Sequence, residues 1–108
     1  MTKKQEIPSH LSKEAGEIFR DLCADYRIND TAGLKILRVA CEAFERAQGA
    51  RIIIDRDGML ITDRFEQQKP HSLLPIERDA RAAFLAGLKA LNLDITPPRD
   101  QTGRPRGK

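Results

Sequence analysis

The chain reads as a mainly α-helical domain with one small β-hairpin between its second and third helices. Three observations lead there. Two stretches repeat apolar residues at three- and four-residue steps across a turn with helix-capping chemistry, two short β-rich runs flank Asp57-Gly58, and a third helical repeat starts at a proline. At 108 residues the chain makes a single domain with a modest core, placed at residues 1–95, and a tail over 96–108.

Ser12 caps the first predicted helix, over about 13–26, in which Ala15, Ile18, Phe19, Leu22, Cys23 and Tyr26 form an apolar stripe. Its other side carries Lys13, Arg20 and Arg27, seven residues apart. Asn29-Asp30-Thr31 is a capping turn, and a second helix follows over about 31–48, where Gly49 is expected to stop it. This helix is apolar on two sides. Leu34, Leu37, Cys41 and Phe44 make one seam; Ile36, Val39, Ala40, Ala43 and Ala47 make another of mostly small residues. A helix apolar on two sides needs cover on two sides, which points to self-association.

Arg51-Ile52-Ile53-Ile54-Asp55 and Met59-Leu60-Ile61-Thr62-Asp63, joined through Asp57-Gly58, predict a hairpin over about 51–63. Three consecutive isoleucines give it apolar groups on both faces. With Ile36, Val39, Ala43 and Ala47, the residues Ile52 and Ile54 are therefore the expected oligomer interface. Arg64 to Leu74 is a polar connection, and Pro75 opens a third helix over about 75–91 with Ile76, Ala80, Ala83, Phe84, Gly87, Leu88 and Leu91 on one face.

Charge is unevenly spread. The last thirteen residues hold Arg99, Arg104, Arg106 and Lys108 against Asp100, and the rest of the chain balances at fifteen basic and fifteen acidic residues. A Pro- and Gly-containing end of this kind buries nothing, is expected to be mobile, and suits a polyanionic partner. Lys3, Lys4, Lys13, Arg20, Lys35 and Arg38 are further candidates for phosphate contacts that position DNA without reading bases. Gly103-Arg104-Pro105 has the core of a minor-groove hook, but Thr102 stands where a second basic residue belongs, so a general phosphate-binding tail or a docking peptide fits better.

Cys23 and Cys41 lack metal-ligand spacing and read as reduced, buried thiols; no metal or cofactor site is expected. No apolar run is long enough for a membrane span and no leader pattern is seen, which makes a cytosolic protein the expectation. There is no G-x-x-x-x-G-K-[ST] phosphate loop.

Pro8-Ser9-His10-Leu11-Ser12-Lys13-Glu14-Ala15 entering a helix, Cys41-Glu42-Ala43-Phe44 in the second, the Gly-containing hairpin, Pro70-His71 before the third, and Leu88-Lys89-Ala90-Leu91-Asn92-Leu93 before Pro97 occur in a telling order. In that order they resemble the compact class of bacteriophage terminase small subunits. Phe19 and Asn92 stand where many relatives have Trp and Gly, and both keep the structural role. The resemblance implies a non-enzymatic component, with no catalytic residues, that binds double-stranded viral DNA as a ring of six or more copies. It also implies a separate large subunit, whose ATPase and nuclease it regulates, and a setting in the cytoplasm of the infected bacterial host.

Two other classes compete. A dimeric transcription regulator would use the first two helices as a helix-turn-helix pair. A small metal-dependent nuclease would use Asp55, Asp57, Asp63 and Glu66 with Lys69 or His71, though no (D/E)-x-K or His-Asn-His pattern accompanies them.

Overall fold

A computed structural model of the chain describes residues 6–93. Five elements follow in order: α1 (Lys13–Tyr26), α2 (Thr31–Asp57), β1 (Leu60–Thr62), β2 (Gln68–Pro70) and α3 (Leu74–Ala90). The predicted class is therefore observed, three helices with an antiparallel two-stranded hairpin between the second and third. The tail lies outside the described residues.

Local chemistry explains the ends of α1. The Ser12 hydroxyl accepts from the Ala15 N–H at 3.3 Å, and Arg27 closes the helix in the left-handed region at φ 54°. Asp30 then caps α2 by accepting from the Gly33 N–H at 2.9 Å. Between the caps Ile28 is buried, and it joins Ala15, Phe19, Cys23, Leu37 and Cys41 in the core between α1 and the first half of α2. Phe19 is the aromatic residue buried there, 4% exposed. Both cysteines are buried and free; burial first, then the nearby Cys23, pushes the Cys41 thiol up to about 11, so it stays protonated and inert.

Two sequence expectations fail at the far end of α2. The helix does not stop at Gly49 and the run 51–55 is not a strand; α2 continues through both to Asp57. Packing decides this. Ala40, Ala43, Ala47, Ala50 and Ile54 follow one another at three- and four-residue steps, and all are at most 5% exposed. That stripe lies under α3, which runs antiparallel along α2: Gly87 sits on Ala40, Phe84 meets Phe44 with ring centroids 5.3 Å apart, and Arg51 bonds to Glu77 at 3.3 Å. Leaving the helix at residue 49 would expose Ala50 and Ile54, and that loss outweighs the β preference of three isoleucines.

The oligomer interface expected from this stripe is corrected accordingly. Ala43, Ala47 and Ile54 are covered by the chain's own third helix, and Ile36 is half-buried near its end. Val39 and Ile52 remain open, at 60% and 66% exposure.

Asp57-Gly58 ends a helix and does not turn a hairpin. Gly58 takes φ 92° and donates to the Ile54 carbonyl at 2.6 Å. The hairpin is displaced to Leu60–Thr62 and Gln68–Pro70, with Ile61 opposite Lys69. Its turn is organised by Asp63, whose Oδ1 accepts from the N–H groups of Phe65 and Gln67 at 2.8 and 2.9 Å. Both strands are exposed along their length. After α3, Asn92 supplies the left-handed stop at φ 59°.

The α2–α3 contact admits no side chain at Gly87, since a Cβ there would lie 2.7 Å from the Ala40 Cβ. Gly87→Ala is expected to destabilise by about 1–3 kcal/mol despite alanine's better helix propensity. Gly49→Ala, exposed and with nothing within 4 Å, is expected to stabilise by roughly 0.5–1 kcal/mol. Urea unfolding of the two variants checks both signs.

Candidate nucleic-acid interface

The α1–α2 corner carries the candidate cations that the structure describes. Lys13 begins α1 and Arg20 lies on its outer side; Lys35 and Arg38 follow in the first turns of α2. All four are exposed. Their availability differs. Arg20 pairs with Asp21 at 3.2 Å and Arg38 with Glu42 at 3.4 Å, whereas Lys13 and Lys35 make no ion pair among the described residues. Lys3, Lys4, Arg99, Arg104, Arg106 and Lys108 lie outside the described residues.

The corner is held from the N-terminal side. His10 Nε2 meets Glu42 at 2.6 Å, and the Ser12 N–H donates to Glu45 at 3.0 Å, so the segment entering α1 is fastened to the middle of α2. The hydrogen bond from His10, with Arg38 beside it, holds the Glu42 carboxyl below the usual range. Arg38 thus sits beside a carboxylate that stays ionised.

Thr31, Lys35 and Arg38 lie three and four residues apart, on one exposed strip of α2 that starts immediately after a four-residue turn. With Leu34, Phe19 and Glu6, these three residues line a shallow cavity of about 240 Å³. This outer strip, directly after the turn and opposite the buried Gly33 and Leu37, is the surface that a helix-turn-helix reading would use.

Two basic features escaped the sequence reading. Arg46 is exposed beside His10, Glu42 and Glu45. Arg51 and Arg81 converge on Glu77, which is only 13% exposed, and with Arg78 they edge an open groove of about 500 Å³ floored by Leu74, Ala82 and Leu85. The Glu77–Arg81 spacing was visible as a helical pair, but only the antiparallel docking of α3 brings in Arg51.

The acids considered for a nuclease are spread over separate structural tasks. Asp55 pairs with Arg51 at 3.3 Å, Asp63 folds onto its own turn and pairs with Lys69 at 3.3 Å, and Glu66 is the exposed left-handed residue of that turn. Asp57 and His71 do meet, at 3.0 Å. His71 Nδ1 accepts from the Leu73 N–H at 3.1 Å, so the neutral ring carries its proton on Nε2 and donates it to Asp57. Among the described residues no group of three His, Cys, Asp or Glu side chains is placed to hold a metal ion, and no helix is long and apolar enough to cross a membrane.

Comparison with known proteins gives no match to a family model, a curated protein or a solved structure.

Arg56 first, then His71, hold the Asp57 carboxyl down from 3.8 to about 2. Because the folded value is the lower one, the stabilisation is complete above the unfolded value near 4 and is lost as pH falls towards 2. Asp57→Asn is therefore expected to be less stable than the natural protein at pH 6 and to close part of that gap by pH 3. Urea midpoints measured across this range test it; a constant gap rules out the ionised Asp57 as its source.

Proposed function

We propose that this chain is a DNA-recognition and regulatory subunit of the terminase small-subunit kind, which binds double-stranded viral DNA in several copies and works with a separate ATPase and nuclease subunit in the host cytoplasm. The observation that carries this reading is the α1–α2 corner, a tight turn followed by a helix whose opening face exposes Thr31, Lys35 and Arg38. The order of elements along the chain supports it as well.

The chemistry at the corner is phosphate binding. Lys13 and Lys35 are compact charges on flexible stems, suited to backbone contacts that set position without reading sequence. Arg38 acts differently: it reaches a phosphate only by sharing or leaving Glu42, which makes its contribution conditional on how closely the DNA approaches. The basic tail supplies a second, sequence-independent attraction to the same partner.

A dimeric helix-turn-helix regulator would use the same corner, so DNA binding alone does not separate the two. Copy number does: a ring of six or more, seen by native mass spectrometry with and without DNA, belongs to packaging, and a plain dimer belongs to the regulator.

Affinity for duplex DNA is expected to fall with salt. Replacing Lys13 and Lys35 by Ala together should reduce the slope of log K against log salt by about two, and deleting residues 96–108 should reduce it further. If the slope is unchanged by both, DNA is not held by these groups.

A further inference from the structure

Each strand of the hairpin has one neighbour and one outer edge that no strand covers among the described residues. The backbone pattern fixes what each edge presents. The His71 N–H donates to the Met59 carbonyl and the Asp63 N–H to the Gln67 carbonyl, so residues 59, 61 and 63 turn their polar groups towards β2. Leu60 and Thr62 consequently turn theirs outward. On the other strand the outward positions are their opposite numbers, Pro70 and Gln68.

These two edges are unlike. Pro70 has no N–H to offer and Lys69 adds a charge whose side chain is 60% exposed, both features that blunt a sheet edge. β1 has neither feature. Leu60-Ile61-Thr62 is uncharged, and Met59, Leu60 and Ile61 are 66%, 57% and 37% exposed. Its outward N–H and C=O groups, two residues apart, match an antiparallel copy of themselves.

We propose that β1 pairs with β1 of a second copy of this chain about a two-fold axis at Ile61, giving a four-stranded sheet shared between two chains. Leu60 exchanges both backbone hydrogen bonds with the partner's Thr62, and Thr62 with the partner's Leu60. Ile61 faces the partner's Ile61 at the intervening non-hydrogen-bonded position, where side chains approach most closely. A two-stranded hairpin with three-residue strands is marginal alone, and pairing doubles the sheet. The guarded β2 edges stop it at two chains, so larger assemblies are built from pairs.

The inference rests on the edge chemistry and not on the packaging reading. Its test uses the full chain. Ile61→Cys under oxidised glutathione is expected to give a disulfide-linked dimer, which Leu60→Cys does not, because residue 60 lies opposite the partner's Thr62 and not its own copy. Thr62→Pro removes an outward N–H that the hairpin itself does not use, and should weaken association about tenfold or more in sedimentation equilibrium, two hydrogen bonds being lost per pair. A monomeric natural chain, an odd-numbered ring, or equal cross-linking at positions 60 and 61 overturns the pairing. A plain dimer with the expected cross-link upholds it while removing the ring reading, and an even-numbered ring with that cross-link agrees with both.

Discussion

The close approach of α2 and α3 is the constraint from which most of this molecule follows. Ala40, Ala43, Ala47 and Ala50 keep the two backbones near one another, Gly87 removes the last obstacle opposite Ala40, and Ile54 extends the seam by another turn. Small residues contribute little apolar area each, so the contact works by length, and its length requires α2 to stay helical to Asp57. Once α2 is that long, the hairpin starts beyond Gly58 and has no helix face left to lie on. The exposed sheet at the end of the long helix pair is a consequence of the alanine seam.

His71 is what ties that outlying hairpin to the helices. Its N–H donates to Met59, its carbonyl accepts from Leu74, its Nδ1 accepts from Leu73 and its Nε2 donates to Asp57. One buried residue, through its backbone and its ring together, thus joins the base of the hairpin, the end of α2 and the start of α3. An apolar residue of similar size would leave the Leu73 N–H without its partner at a helix start where Leu73 offers no side-chain cap. The satisfied ring explains how a polar residue only 6% exposed can be stabilising here.

Much of this was legible in the sequence where one local signal acted alone. Ser12 and Asp30 announced their helices, Pro75 sits in the first turn of α3, and Asn92 ends it as a left-handed residue. The reading failed where local preference and long-range packing disagreed. Isoleucines 52–54 and the Asp57-Gly58 pair are good hairpin signals, yet residues 50 and 54 complete a helical stripe whose value depends on α3, some thirty residues away. The candidate site divides in the same manner. Exposure of Lys13, Arg20, Lys35 and Arg38 followed from helical periodicity. The way Glu42 is shared between His10 and Arg38 did not, because His10 reaches it from a non-helical segment.

That sharing bears on how such a corner holds a polyanion. Of the four cations described there, Arg20 and Arg38 already face carboxylates, which leaves Lys13 and Lys35 as the charges that, on the proposed reading, would meet phosphate without first giving up a partner. Two phosphate contacts give only a shallow salt dependence and weak affinity, well short of the six to ten contacts that make a strong duplex binder. On the proposed reading a single chain is therefore an inadequate DNA-binding unit. Linking chains raises the number of contacts on one duplex without altering any of them, and it does so most effectively if the link leaves the corner free. The proposed assembly edge on β1 meets that condition, since the hairpin follows the C-terminal end of α2 and most of that 27-residue helix separates it from Lys35.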